Sequence, residues 1–212
     1  HAGLRRAFAS GRWAAVAMIH PGMAEPLTRA GVSARLLTTL RNPAEASGAA
    51  RVRAEENDRI VFVGRLSEEK GPLDLARATA ALGLPVTFVG AGPLEAEVRR
   101  LNPAAEITGW QDRAGVARHL CRARALAMPS RLPEPFGLAA AEAARAGVPV
   151  VLPDIALMAA EIAGQGMGLA YDANDSHGLE SALGRIRDAG AEEMSRMSRR
   201  AGEGAGRLAT TP

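Results

Sequence analysis

The sequence has almost no cysteine, lysine or aromatic side chains. Cys121 is the sole cysteine among 212 residues, which excludes a disulfide framework and any metal site built on cysteine. A reducing, cytoplasmic setting is the compartment this implies. Aromatic residues amount to 3%, so a core has to be assembled from Ala, Val, Leu, Ile and Met. No apolar run approaches the ~18 residues of a membrane-spanning helix. No secretory leader is visible, and only peripheral contact with a membrane surface stays open. The chain begins with His1 rather than Met, as a processed, trimmed or partial sequence would. No block of five basic residues occurs and no aromatics interleave with the arginines, so nucleic acid is not an expected partner. There is no Ser-His-Asp set, and His1, His20, His119 and His177 are dispersed. No Asp-x-Asp motif is present, so no metal ion is expected.

What the chain does contain is ordinary for a folded domain. Apolar residues make up 47% and charged residues 23%, with a formal charge of +3. That length holds one full domain and part of another. Lys70 is the only lysine among 26 basic residues, which draws the eye to its position.

Ala14 to Ile19 is a short apolar run, read as a buried strand. A helical stretch from Met23 to Arg29 follows and closes at Gly31. A second apolar run, Leu36 to Leu40, ends at Arg41-Asn42-Pro43, and residues 44–58 read as a polar, Ala-rich linker. From Arg59 the rhythm is regular. Strands are expected at Ile60 to Val63, Val86 to Val89, Glu106 to Thr108, Ala125 to Met128, Val148 to Leu152 and Met167 to Tyr171. Helices are expected from Gly71-Pro72 to about Leu82, from Gly92-Pro93 to Leu101, from about Arg113 to Arg122 and from Gly137 to Ala146. Residues 176–204 read as largely helical. Short apolar strands alternating with helices imply right-handed βαβ units and an α/β fold, a doubly wound parallel sheet covered on both faces. Ligands of such sheets bind at the carboxyl ends of the strands, so the loops after Val63, Val89, Thr108 and Met128 should hold any chemistry.

Three of those loops carry candidate residues. Gly64-Arg65-Leu66-Ser67-Glu68-Glu69-Lys70-Gly71 sets two cations five apart before a helix, an arrangement that suits a diphosphate; taken alone, it reads as a solvated surface loop. Gly90-Ala91-Gly92-Pro93 starts like a dinucleotide fingerprint, but Glu95 replaces the third glycine, and tight-turn glycines before a helix explain it adequately. The third loop runs from Pro129 through Glu134-Pro135-Phe136-Gly137 into a helix that bears Glu142. The helix's first turn offers free N–H groups to an anion. Two carboxylates about one diphosphate could accept hydrogen bonds from paired sugar hydroxyls on either side.

Glu134-Pro135-Phe136-Gly137…Glu142-Ala143…Ala146-Gly147-Val148-Pro149-Val150-Val151 resembles the signature of family 4 retaining glycosyltransferases. Val63-Gly64-Arg65…Glu69-Lys70-Gly71 is similar to that family's second signature and Val89-Gly90-Ala91-Gly92-Pro93 to its third, in the family's order and spacing. The resemblance covers residues 14–205. It implies the Rossmann-like C-terminal lobe of a two-lobed GT-B fold, with a partial N-terminal lobe. On that division, residues 1–45 are the remnant of an acceptor-side domain, 46–58 a linker, 59–190 the nucleotide-sugar-binding domain and 191–212 a C-terminal helical segment. Most of the N-terminal domain, which supplies the acceptor site, would be missing.

The resemblance also implies roles. Arg65 and Lys70 would neutralise the donor diphosphate. Backbone N–H groups of Gly137, Leu138 and Ala139 would hold its distal phosphate. Glu134 would contact the transferred sugar and Glu142 the ribose. Gly64, Gly90, Gly92, Gly109, Pro135 and Phe136 would complete the donor site, and Thr108-Gly109-Trp110 would border the nucleoside. The implied activity is transfer of a sugar, a hexose by type, from a nucleotide-diphosphate sugar to an unknown acceptor hydroxyl, with no cofactor and no metal. Three departures from the family pattern stand out: His20 where Ser is usual, Asn42-Pro43 where Asn-Gly is commoner, and Ala156-Leu157 before Glu161 where glycines are. Competing readings are a non-catalytic nucleotide-sugar-binding module, an oxidoreductase with a dinucleotide at Gly90, and a phosphorylase or epimerase on the same scaffold.

Overall fold

Two parallel strands, β1 (Val16–Met18) and β2 (Leu37–Thr39), open the structure, with the short helix α1 (Ala24–Arg29) between them. The computed structural model describes residues 13–41, 51–135 and 137–208. A lobe of alternating strands and helices follows: β3 (Arg59–Val63), α2 (Pro72–Leu82), β4 (Val86–Val89), α3 (Glu95–Leu101), β5 (Glu106–Ile107), α4 (Arg113–Leu120) and β6 (Ala123–Ala127). It continues with α5 (Leu138–Arg145), β7 (Val150–Pro153), α6 (Ala159–Gly164), β8 (Gly168–Tyr171), α7 (Gly178–Asp188) and α8 (Ala191–Leu208).

The lobe's six strands are all parallel, in the order β5-β4-β3-β6-β7-β8. Counted from β3, that is 3-2-1-4-5-6, the doubly wound order of Rossmann-like sheets. The winding reverses between β3 and β6, which leaves a crevice at their carboxyl ends where no crossover helix covers the sheet. Each strand sends alternate side chains to opposite faces. Ile60, Phe62, Val86, Phe88, Ala125 and Val151 join the core beneath α2, α3 and α7. Val61, Val89, Leu126, Val150 and Leu152 join the core with α4, α5 and α6. Phe62 and Phe88 are register partners on adjacent strands, with ring centroids 5.5 Å apart. Burying both sheet faces requires the continuous apolar runs that the sequence shows.

Several expectations needed correction. The described part of the expected linker, residues 51–58, is packed against the lobe. Val52 and Ala54 are buried, and the Val52 N–H donates to Ala146 O. Arg51 bonds both Glu55 oxygens, and Ser198 on α8 accepts from Arg51 and donates to Val52 O. Asn42-Pro43 and the rest of the expected linker, 44–50, lie outside the described residues, as do 1–12 and 209–212. Helix α6 was not anticipated. The stretch 176–204 is two helices, α7 and α8, broken at Ala189-Gly190. Helix α3 starts at Glu95 rather than Gly92, and β6 starts at Ala123 rather than Ala125.

Candidate functional site

The loops after β3 and β6 are fastened together before any ligand is considered. The Arg131 N–H donates to Glu69 O at 2.9 Å, and the Leu157 N–H, from the loop after β7, donates to Glu134 O at 3.2 Å. Lys70 closes a 3₁₀ turn, Glu68–Lys70, with its N–H on Ser67 O at 3.0 Å. These bonds bring two side chains 64 positions apart into contact: Lys70 Nζ lies 2.5 Å from Glu134 Oε2. The Ser130 hydroxyl is 3.5 Å from the same oxygen.

Beside this pair stands the start of α5. Its sequence, Leu-Ala-Ala-Ala-Glu-Ala-Ala-Arg, is rich in strong helix formers. Ala140, Ala141, Ala143 and Ala144 are fully buried, and their small side chains let α5 lie close against α8. Gly137 precedes the helix with φ 60° and ψ 64°, a left-handed conformation that favours glycine. A Cβ there would stand 3.0 Å from Met128 Sδ. No side chain caps the helix and no acid occupies its first turn, so its N–H groups and partial positive charge face the crevice unneutralised.

The result is a cleft of about 390 Å³ lined by Gly64, Lys70, Glu134, Pro135, Gly137, Leu138 and Ala139, with Ile19, Phe62, Val63, Met128 and Ser130. Arg65 and Glu142 lie outside its lining. Arg65 is exposed on the loop after β3, and Glu142 is half-buried on α5. Phe136 lies outside the described residues. Ser130, Met128 and Ile19 were not singled out from the sequence; Ser130 sits within the motif loop, but its side-chain direction is set by the loop's tertiary bonds.

Gly90 and Gly92 are required by close packing rather than by the cleft, and Gly109 by its left-handed φ of 71°. A Cβ on Gly90 would meet Gly64 O at 1.9 Å, and one on Gly92 would meet Leu66 O at 2.4 Å. Gly90 and Gly109 form an antiparallel bridge. The three loops after β3, β4 and β5 are thereby stitched side by side along the sheet's carboxyl edge. Trp110 projects from the last of them, 78% exposed.

A larger cleft, about 530 Å³, adjoins the first through Ser130 and lies between α2 and α7. None of the expected site residues that the structure describes lines it. Asp74, one of the charged groups in its lining, is already held by Arg131 through two bonds of 2.9 Å and by Arg77 at 3.1 Å. The uncapped start of α5 beside the Lys70–Glu134 pair, not volume, therefore selects the switch-point cleft as the candidate site.

The fold and that cleft define a Rossmann-like lobe of the kind that forms one half of GT-B glycosyltransferases. The chain belongs to the family described as Glycosyl transferases group 1, whose sequence model matches residues 57–188. Glycogen synthase from Mycobacterium tuberculosis strain H37Rv is 31% identical over 195 residues, covering 84% of this chain and 44% of that protein. The chain thus spans under half the length of the curated relatives it matches. Among solved structures, sucrose-phosphate synthase from Thermosynechococcus elongatus superposes with a TM-score of 0.77 at 22% identity, over 92% of this chain and 54% of that one. Anabaena HepE in complex with UDP gives a TM-score of 0.80 at 20% identity, over 97% and 63%. No helix among the described residues is long and apolar enough to cross a membrane.

Proposed function

We propose that the chain is the donor-binding half of a retaining glycosyltransferase. It would move a hexose from a nucleoside-diphosphate sugar to an acceptor hydroxyl. The observation that carries this reading is the meeting of Lys70 and Glu134 at the uncapped N-terminus of α5, at the sheet's switch point. HepE is solved with UDP and with UDP-glucose, which supports a sugar nucleotide as the ligand class.

In this reading the distal phosphate sits on the backbone N–H groups of Gly137, Leu138 and Ala139. Lys70 and Arg65 offset the charge that develops as the sugar–phosphate bond breaks. Glu134 takes sugar hydroxyls and Glu142 the ribose. The nucleoside runs over the stitched loops at Gly90 and Gly109, where Trp110 offers a stacking face to a base of any identity. Retention follows when the leaving diphosphate itself takes the acceptor proton on the face it departs from. Such a step needs cations and positioning, not a protein nucleophile or a metal ion. The acceptor and the exclusion of water belong to an opposing lobe. A chain of just these residues is therefore expected to bind donor without efficient transfer. Its setting would be the cytoplasm.

A thermal-shift screen of UDP, GDP, ADP and their glucose esters, with NAD alongside, tests the reading. One nucleotide series should raise the unfolding midpoint, because a ligand of the folded state stabilises by mass action. A shift with NAD alone, or with none of the compounds, overturns it.

A further inference from the structure

Lys70 and Glu134, read above as ligands of diphosphate and sugar, are ligands of each other. The ammonium and the carboxylate are 2.5 Å apart, with side chains 36% and 18% exposed, so both remain within reach of a molecule in the cleft. Charge-assisted bonds of this type are about twice as strong as neutral ones. A phosphate that draws in the Lys70 ammonium must either displace the Glu134 carboxylate or set a second anion beside it.

The two nucleotides of a transfer reaction meet this pair differently. In the sugar donor the distal phosphate is esterified and carries a single charge, and the sugar's hydroxyls give Glu134 replacement hydrogen-bond donors. In the product, the distal phosphate is terminal and carries about −1.5 to −2 at neutral pH. It offers Glu134 no donors and repels it. The N–H groups of α5 bind either phosphate, and their partial positive charge favours the more highly charged product, so discrimination against it has to come from the pair.

Resting on the donor-binding reading, we propose that the Lys70–Glu134 pair discriminates donor from product. Glu134 yields Lys70 to the sugar-bearing nucleotide and takes it back from the bare nucleoside diphosphate, which favours release of the spent nucleotide. Only ion pairs exchange in this step; no covalent bond changes. The same carboxylate thus assists one ligand of the cleft and opposes the other.

Calorimetry provides the test, using whichever of UDP, GDP or ADP binds the wild-type chain, together with its glucose ester. Glu134→Gln should bind the bare diphosphate about fivefold more tightly, the scale of a partly exposed ion pair. It should bind the glucose ester no more tightly than wild type. Glu134→Ala is the second variant should the first not fold, with the same expectation for the bare diphosphate. In a Lys70→Met background the gain should shrink to the part that relief of the direct repulsion supplies. Unchanged or weaker binding of the diphosphate by both Glu134 variants overturns the proposal, as does a gain just as large without Lys70. A wild-type chain that binds none of the three nucleotides overturns the donor-binding reading first, and this proposal with it.

Discussion

Arg41 and Glu161 join the two-stranded unit to the lobe through two hydrogen bonds, Nη1 to Oε2 at 3.1 Å and Nη2 to Oε1 at 2.7 Å. Arg41 also donates to the Leu208 carbonyl at the end of α8. His20 is packed beside them. Its Nδ1 accepts the Gly22 N–H, and its buried Nε2 lies 3.9 Å from Glu161 without a hydrogen-bond partner among the described residues. Burial holds the His20 pKa below its usual value; Arg41 lowers it further, against the opposing pull of Glu161. Its proton is therefore taken up more readily by the unfolded chain, and stability falls as pH drops below about 6.5. Arg41→Met should raise the His20 pKa and cost about 1 kcal/mol at neutral pH, a value for a partly exposed pair. An NMR titration of the imidazole and a denaturant curve read both effects. A His20 pKa that stays put in the variant would remove Arg41 from its surroundings.

Lys70 should act on the diphosphate and not on the base. Lys70→Ala is expected to weaken nucleoside diphosphate more than monophosphate, and the loss should shrink as salt rises because the group is partly exposed. Titrations at two ionic strengths decide it. Equal losses for both nucleotides would return Lys70 to the role of a solvated loop residue.

Trp110 is one of two tryptophans, the other being Trp13 in the two-stranded unit. Nucleotide binding should quench the intrinsic fluorescence, and the quench should survive Trp13→Phe but not Trp110→Phe. Stacking contributes ~1–3 kcal/mol per base and tolerates any base, so Trp110→Ala should weaken the preferred nucleotide within that range. A full quench in Trp110→Phe would place the nucleoside elsewhere.

Glu55 links the start of the lobe to its last helix. The Arg51 guanidinium bonded to it, more than any other cause, holds its carboxyl well below the usual range, at about 2. A depressed carboxyl pKa stabilises the fold fully above the unfolded value, near 4.5, and the contribution is lost as pH falls from there toward 2. At neutral pH the contribution is about 1–3 kcal/mol, at the scale of a charged hydrogen bond. Glu55→Gln should lower stability at pH 7 and flatten the acid limb of the unfolding curve. An acid limb identical to wild type would show that Glu55 contributes nothing to it.

The sheet was legible because each strand announces itself locally. Ile60-Val61-Phe62-Val63 and Val86-Thr87-Phe88-Val89 are short, apolar and rich in β-branched and aromatic residues, and their burial on both sides follows from the doubly wound plan. Two of the misses share one cause, long-range partners. Strand β6 begins two residues early because Arg124, a charge in an apolar run, reaches out to the carbonyls of Ile186, Arg187 and Ala189 at the end of α7. Val52 and Ala54 are held through Arg51, Glu55 and Ser198, a link spanning more than a hundred residues that composition cannot signal. Helix α6 is six residues long, too short for its periodicity to stand out. At the site, Lys70 and Glu134 could be named from their motifs. Their contact with each other could not, since it depends on how two loops are tied across the crevice.

The scarcity of lysine gives the cleft an unusual chemical address. Lys70 carries the only ε-amino group in the sequence, and it lies in the cleft wall with a third of its side chain exposed. An amine-directed acylating reagent therefore has one side-chain target in the entire chain. The mass added to the peptide bearing Lys70 becomes a direct tally of how many molecules have that amine uncovered, and a ligand seated over it would be counted by the acylation it prevents.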